Sequence, residues 1–213
     1  IITIDPRKSL KHLKDERCFK YPIFTLLDAR NGILEMNVGR KIWINGAGFM
    51  SVLYSKYGLG FEGYISGGSV ATAAFNVVKS MGAKRIVLVG QDLAFSGDTT
   101  HAGGVANHSD DDLNGIVYVE DINGKKIKSR GDWLIYIDWF NAAIEELGDS
   151  VEVIDATEGG AKLKGSKIMN LSEVIDKYCI SNFKFNEILS NIEPTFSKEN
   201  YEILKEDICH MQK

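Results

Sequence analysis

The fold is decided by residues 69–92, which read SVATAAFNVVKSMGAKRIVLVGQD. Apolar residues recur at helical spacing over Val70–Met81, and Ser69 is a good N-terminal cap. Gly82 stops the helix, and Ile86–Val89 is then a continuous apolar run, which is typical of a strand covered on both faces. A helix that leads directly into a buried strand predicts a crossover unit of a parallel sheet.

The rest of the chain continues this alternation. Predicted strands cover Ile1–Ile4, Ile23–Leu27, residues 41–45 and Val151–Ile154, and predicted helices cover Asp132–Leu147, Leu171–Tyr178, Phe183–Asn191 and Glu199–Met211. Asn123-Gly124 between alternating segments predicts a β-hairpin near residues 116–129, added to the main sheet. We therefore expect an α/β, Rossmann-like fold with a mainly parallel sheet and a helical C-terminal lobe. The expected division is a Rossmann-like domain at 1–165 and a helical extension at 166–213.

Composition excludes several classes of function. The chain has 213 residues with a net charge of −4, which argues against a nucleic-acid binder, and no apolar stretch approaches the length of a membrane span. Its three cysteines, Cys18, Cys179 and Cys209, are far apart and favour a reducing, cytoplasmic location. Because the sequence opens inside an apparent strand without methionine, we expect a piece of a larger protein or a processed chain.

The first loop that could bind a ligand is GYISGGSVAT at 63–72. A helix N-terminus presents free N–H groups and partial positive charge, and glycines let an anion approach the backbone closely. This points to Gly67 and Gly68 as backbone contacts for a ligand. The hydroxyls of Ser66, Ser69 and Thr72 would add donors. The alternative is that Ser69 only caps the helix while the glycines make a turn.

Two further loops follow predicted strands, at residues 90–104 and 155–165. In the first, Gly90, Gln91 and Asp92 lie where a ribose or a base edge would be recognised, and His101 is the candidate acid or base. The alternative for His101 is an exposed loop histidine. In the second, Glu158, Gly159 and Gly160 would either pack against a base or simply turn the chain.

Two other patterns are weak. His108 with Asp110–Asp112 fits no established metal-ligand spacing, and successive aspartates are typical of a solvated loop. Gly46-x-Gly48-x-x-Ser51 is close to a dinucleotide fingerprint, but it has serine at the third glycine and lacks the acidic residue that should follow. We therefore predict neither a metal nor a bound dinucleotide.

Three segments together resemble a known family. They are SGGSVATAAFNVVKSMGAKRIVLVGQDLAFSGDTTHAGG, INGKKIKSRGDWLIYIDWF and IDATEGGAKLKG, and the similarity covers roughly Ile1–Gly165. They look like the motility accessory factor family, also described as 6-hydroxymethylpterin diphosphokinase MptE-like. The segment Ile65–Phe95 is also similar to bacterial sialyltransferases. This resemblance implies a nucleotide near Ser66, Gly67, Gly68, Gln91 and Asp92, with Thr157, Glu158, Gly159 and Gly160 from the last motif.

The resemblance also implies a function. Bacterial members are implicated in transferring nonulosonic acids to flagellin, which implies a CMP-sugar donor, a flagellin acceptor and no cofactor. Archaeal relatives transfer a diphosphate to a pterin, which would require ATP and Mg²⁺. A non-catalytic flagellin-docking module is the third alternative. In the family, a strand and a Gly-Pro-Ser-type loop precede the IDP segment and complete the nucleotide pocket. Their absence here implies a domain without its N-terminal part.

Overall fold

The computed structural model describes residues 1–4, 21–25, 39–44, 67–95, 115–181, 184–193 and 197–211. The strands in these ranges are β1 Ile2–Thr3, β2 Ile23–Thr25, β3 Lys41–Trp43, β4 Arg85–Leu88, β5 Ile116–Glu120, β6 Lys126–Arg130, β7 Glu152–Asp155 and β8 Lys167–Ile168. The helices are α1 Val70–Ser80, α2 Gly131–Leu147, α3 Leu171–Tyr178, α4 Phe185–Ser190 and α5 Lys198–Met211, with a 3₁₀ turn at Gly148–Ser150. The predicted α/β class with parallel sheets is confirmed.

The deciding segment folds into a helix followed by a strand, as predicted. Helix α1 runs from Val70 to Ser80, and β4 begins at Arg85 after a short connection. Such a short connection makes α1 and β4 run in opposite directions. The N-terminus of α1 therefore lies at the same end of the sheet as the carboxyl end of β4.

Strands β4 and β7 are parallel neighbours, with Arg85 opposite Glu152 and Leu88 opposite Asp155. This pairing confirms the central expectation for the fold. Strand β8 pairs in parallel on the other side of β7. It was not predicted, because a strand of two residues carries no periodic pattern. Ile154 in β7 is fully buried. The run Ile86–Val89, predicted to be covered on both faces, is buried at Ile86, but Val89 lies beyond the end of β4 and is exposed.

The first three strands form a second parallel sheet in the order β1-β2-β3. Among the described residues, hydrogen bonds therefore group the six parallel strands into two three-stranded sheets, where the sequence predicted one. Helix α1 contacts both β1 and β4, so it packs on both sheets.

Strands β5 and β6 form the predicted hairpin around Asn123-Gly124. The Asp121 Oδ1 atom accepts hydrogen bonds from the backbone N–H groups of Asn123 and Lys125, both at 2.8 Å, and so fixes the turn. In the described chain, β5 and β6 pair with each other, and an isolated antiparallel bridge joins Asp121 to Ala161. Further hydrogen bonds tie the hairpin to the loops of the parallel sheet, such as the one from the Phe95 N–H to the Lys128 carbonyl at 2.9 Å. The hairpin thus lies beside the main sheet instead of extending it.

Helix α2 provides the centre of the main core. Five apolar residues at helical spacing along one side of this predicted helix are buried: Trp133, Ile137, Phe140, Ile144 and Leu147. Phe140 is fully buried, and its ring meets that of Phe75 from α1 edge to face, with 5.6 Å between ring centroids. Burial of side chains of this size contributes roughly 1.5–3 kcal/mol each, so α2 stabilises the whole layer.

The C-terminal helices contact both sheets. Val174 of α3 packs with Ile154 and Ala156 at β7. The guanidinium of Arg40, which precedes β3, donates hydrogen bonds to the backbone carbonyls of Leu189 and Ile192 at the end of α4. The division of the chain at residue 165 stays a prediction.

Candidate nucleotide-binding site

The carboxyl ends of β4 and β7 lie side by side, since the two strands are parallel neighbours. The loop after β4 contains residues 89–95, and the loop after β7 contains residues 156–160. Two of the three loops singled out from the sequence therefore meet at one edge of the sheet. Open α/β sheets bind their ligands at this edge.

Backbone contacts join these two loops. The Ala161 N–H donates to the Asp92 carbonyl at 2.7 Å, and the Ala156 N–H donates to the Leu88 carbonyl at 2.9 Å. Gly160 lies directly against Asp92. A Cβ atom on Gly160 would be 2.5 Å from the Asp92 Cα and 2.8 Å from its carbonyl carbon, and would be closer still to the carbonyl oxygen. Gly160 therefore allows the loops to pack together, which is a different role from packing against a base.

Thr157 connects the loops through its side chain and its backbone. Its Oγ1 accepts a hydrogen bond from the Gln91 N–H at 3.1 Å. Its own N–H donates to the Asp155 Oδ1 at 3.0 Å. Thr157 thus fixes the backbone at Gln91 and orients the Asp155 carboxyl group.

Asp155 is a site residue that the sequence analysis missed. It ends β7, its side chain is 1% exposed, and its Oδ2 has no hydrogen-bond partner among the described residues. Burial raises the pKa of Asp155, and the Asp92 carboxylate raises it further, although hydrogen bonding from Thr157 opposes both. The signal in the sequence was an acidic residue at the end of an apolar strand on the ligand-binding edge.

Each loop holds one non-glycine residue in the left-handed region, Leu93 at φ +47° and Glu158 at φ +66°. The Leu93 carbonyl accepts a hydrogen bond from the buried Ser129 hydroxyl at 2.6 Å. The Glu158 Oε1 accepts one from the Leu171 N–H at 2.9 Å, at the first turn of α3. Residues in this backbone region cost free energy and cluster at functional sites. The Glu158 carboxylate is thereby occupied by a helix N-terminus.

At the N-terminus of α1, the side chains of Ser69 and Thr72 bond to the helix itself. The Ser69 Oγ accepts from the Thr72 N–H at 3.1 Å, and the Thr72 Oγ1 accepts from the Ser69 N–H at 3.2 Å. Thr72 is fully buried and its hydroxyl also donates to the Ser69 carbonyl at 2.7 Å. These two hydroxyls form a capping box, which is the alternative that the sequence left open for Ser69.

The two glycines before α1 differ in their surroundings. A Cβ on Gly67 would be 2.7 Å from the Trp139 Cγ, so Gly67 packs against α2. Gly68 has φ +89°, and among the described residues a Cβ there would meet the Tyr136 Cε1, at 3.6 Å. Among the described residues, Gly67 is therefore the more crowded of the two glycines.

The structure brings together Gly90, Gln91 and Asp92 with Thr157, Glu158, Gly159 and Gly160. The other residues singled out from the sequence lie outside the described residues: Ser66, His101, His108, Asp110–Asp112 and Gly46–Ser51. Within the described ranges, no group of three or more His, Cys, Asp or Glu side chains could hold a metal ion. No helix in the same ranges is long and apolar enough to cross a membrane.

Comparison with known proteins supports the resemblance stated above. Residues 1–98 match the sequence model of the family described as 6-hydroxymethylpterin diphosphokinase MptE-like. No curated protein sequence matches the chain. The first two loops lie wholly or mainly within the matched residues, and the third lies beyond them.

A solved structure described as the MAf glycosyltransferase from Magnetospirillum magneticum AMB-1 is similar in fold. The TM-score is 0.60 at 13% sequence identity, and the match covers 79% of this chain and 26% of that protein. The chain thus spans about a quarter of its structural neighbour, and at this identity the likeness establishes the fold alone. Residues 1–98 resemble the MptE-like family, and the chain shares the fold of part of a MAf glycosyltransferase.

Proposed function

We propose that the chain is the nucleotide-binding part of a glycosyltransferase that moves a nonulosonic acid from a CMP donor to Ser/Thr of flagellin. The observation that carries the proposal is the junction of the loops after β4 and β7, at the end of the sheet where α1 begins. The fold similarity to a glycosyltransferase and the family match over residues 1–98 support the same assignment.

The junction suits an anionic nucleotide because glycine residues there would let backbone N–H groups approach a phosphate. Among the described residues, a Cβ on Gly90 would meet no atom within 4 Å. Backbone N–H groups at a helix N-terminus and at strand ends bind phosphate well. We place the phosphate near Gly68 and the ribose near Asp92, since a carboxylate accepts hydrogen bonds from hydroxyls but repels phosphate.

Calorimetric titration of the 213-residue chain with CMP tests this assignment. We expect binding that EDTA does not change, because the proposed reaction uses no metal or organic cofactor. UMP and AMP serve as matched controls that share the phosphate and the ribose. Equal affinity for all three would contradict a cytidine-specific site, and no heat with any of them would contradict the proposed function.

A second function is favoured by one observation, the closeness of two carboxyl groups at neighbouring strand ends. Asp92 acts on the pKa of Asp155, so the two groups interact electrostatically. Mg²⁺ is commonly held by one or two carboxylates together with substrate phosphates. A pterin diphosphokinase would use such a site for ATP. Binding of ATP that appears only with Mg²⁺ and disappears with EDTA would favour it over the glycosyltransferase.

The same proposal covers a catalytic residue and a location. His101 assists proton transfer during glycosyl transfer, and the protein works in the cytoplasm, in keeping with the exposed free thiols of Cys179 and Cys209. The non-catalytic alternative is a module that docks on flagellin through residues 171–213. Co-purification with flagellin that survives deletion of residues 171–213 would speak against that use of the C-terminal helices.

A further inference from the structure

Asp155 is a buried acid with incomplete hydrogen bonding. Its side chain is 1% exposed; Oδ1 is bonded to the Thr157 N–H, and Oδ2 has no partner among the described residues. Buried polar atoms without partners are rare, and each calls for an explanation such as a catalytic role, a bound water or a ligand. For an ionised carboxylate the cost is especially high, because burial removes the water that stabilises the charge.

Among the described residues, the charge that acts on Asp155 does not stabilise its ionised form. The charge that acts on it is the Asp92 carboxylate of the β4 loop, which is of the same sign. Lys167 of β8 lies with its Nζ 3.5 Å from Glu152, and Lys162 pairs with Glu120 of β5 at 2.8 Å. Lys162 and Lys167 are therefore paired with other carboxylates, and burial and the Asp92 charge both favour the uncharged form of Asp155.

We propose that Asp155 is a neutral carboxylic acid that donates its Oδ2–H to an anionic oxygen of the ligand bound between the β4 and β7 loops. Oδ1 keeps the hydrogen bond from Thr157, so the proton resides on Oδ2. The donor then lies at the carboxyl end of β7, next to the loop that carries Gln91 and Asp92. This inference rests on the proposed nucleotide site and assigns the ligand atom that Asp155 recognises: an unprotonated oxygen of a phosphate or a carboxylate.

A neutral Asp155 resolves a conflict of charge at the site. A nucleotide-linked acidic sugar is anionic, and two ionised carboxylates at neighbouring strand ends would repel it. With Asp155 uncharged, the site offers a donor to the ligand's oxygen, while Asp92 accepts from its hydroxyls. The same bond makes affinity depend on pH. Binding is full while Asp155 is protonated, and it weakens as pH rises through the pKa of Asp155.

Asparagine at position 155 gives a matched test. It keeps the size of the side chain and the acceptor for the Thr157 N–H, and it places a permanent N–H donor where Oδ2 stands. The probe is CMP, titrated calorimetrically between pH 5.5 and 8.5 into the wild-type chain, D155N and D155A. We expect D155N to bind at least as well as wild type at pH 8.5, with a flatter pH profile. We expect D155A to bind about 10-fold more weakly at pH 5.5, from loss of the hydrogen bond.

Other outcomes would overturn the inference. Loss of CMP binding in D155N, with the variant folded by circular dichroism, would mean that Oδ2 accepts a hydrogen bond from the ligand as a carboxylate. Identical pH profiles for wild type and D155N would mean that Asp155 does not titrate with binding.

A ligand-free readout separates this inference from the proposed function. The ¹³C carboxyl resonance of Asp155, assigned by its absence in D155N, is followed against pH. A midpoint well above that of ordinary aspartates supports the neutral acid even if CMP does not bind, in which case the nucleotide assignment alone fails. A midpoint in the ordinary range refutes the neutral acid whatever CMP does.

Discussion

Replacing Gly160 by alanine tests the contact between the two loops. The new Cβ would lie 2.5 Å from the Asp92 Cα and 2.8 Å from its carbonyl carbon. Both atoms belong to backbone, so a rotamer change cannot relieve the overlap and one loop has to move. Movement also threatens the 2.7 Å hydrogen bond from the Ala161 N–H to the Asp92 carbonyl.

Three terms set the expected loss of stability. The left-handed backbone at Gly160, with φ +77°, costs an alanine about 1–2 kcal/mol. Overpacking against the Asp92 backbone costs about 1–3 kcal/mol. The weakened Ala161 hydrogen bond costs about 1 kcal/mol. Because the terms overlap, we expect the free energy of unfolding to fall by about 3–5 kcal/mol.

Gly82 provides a matched control. Its φ of +76° is nearly the same, yet among the described residues a Cβ there would meet no atom within 4 Å. Gly82→Ala should therefore cost only the backbone term, about 1–2 kcal/mol. Urea unfolding of both variants, followed by circular dichroism and tryptophan fluorescence, measures the difference. Equal losses in the two variants would refute the close approach of Gly160 to Asp92.

Gly68 and Gly82 both have left-handed backbone, so Gly68→Val and Gly82→Val should lose similar stability in urea unfolding. Only Gly68→Val should lose CMP binding, measured by calorimetry. Wild-type affinity in a folded Gly68→Val would mean that Gly68 only forms a turn. Thr157→Val removes the hydroxyl that accepts a hydrogen bond from the Gln91 N–H, so we expect the free energy of unfolding to fall by about 1 kcal/mol. An unchanged urea midpoint would speak against this hydrogen bond. Arg85 lowers the pKa of Glu152 by its hydrogen bond, so the pair stabilises the fold above the ordinary carboxyl pKa and the benefit is lost as pH falls. Arg85→Met should therefore show a smaller drop in Tm than wild type between pH 7 and pH 3, and an equal drop would contradict the linkage.

Local pattern was sufficient wherever a residue's role depends on its near neighbours in the chain. Helix α2 follows from the helical spacing of its apolar residues, and the cap of α1 follows from Ser69 at its start. Thr72, which completes the capping box, was predicted to contact the ligand instead. The hairpin turn at Asn123-Gly124 is similarly local. These features were predicted because hydrogen bonds and packing within a few residues decide them.

Features that depend on distant residues were not predictable. The role of Gly160 is set by the Asp92 backbone, and the packing of Gly67 is set by Trp139 of another helix. Asp155 looks like an ordinary strand end until its burial is known, together with the lack of a partner for its Oδ2 among the described residues. In each case the sequence identified a loop or strand end of interest, and the tertiary contact decided which residues remain available to a ligand.

The way in which the β4 and β7 loops are joined has a consequence for protein engineering. The backbone of Asp92 and the Gln91 N–H hold the loops together, and the side chains of these two residues take no part in those bonds. Substitutions at Gln91 and Asp92 can therefore change which groups face a substrate while the loops keep their shape. A small library at these two positions, built in a background that retains Thr157 and Gly160, would test the proposed site by showing whether its ligand preference changes.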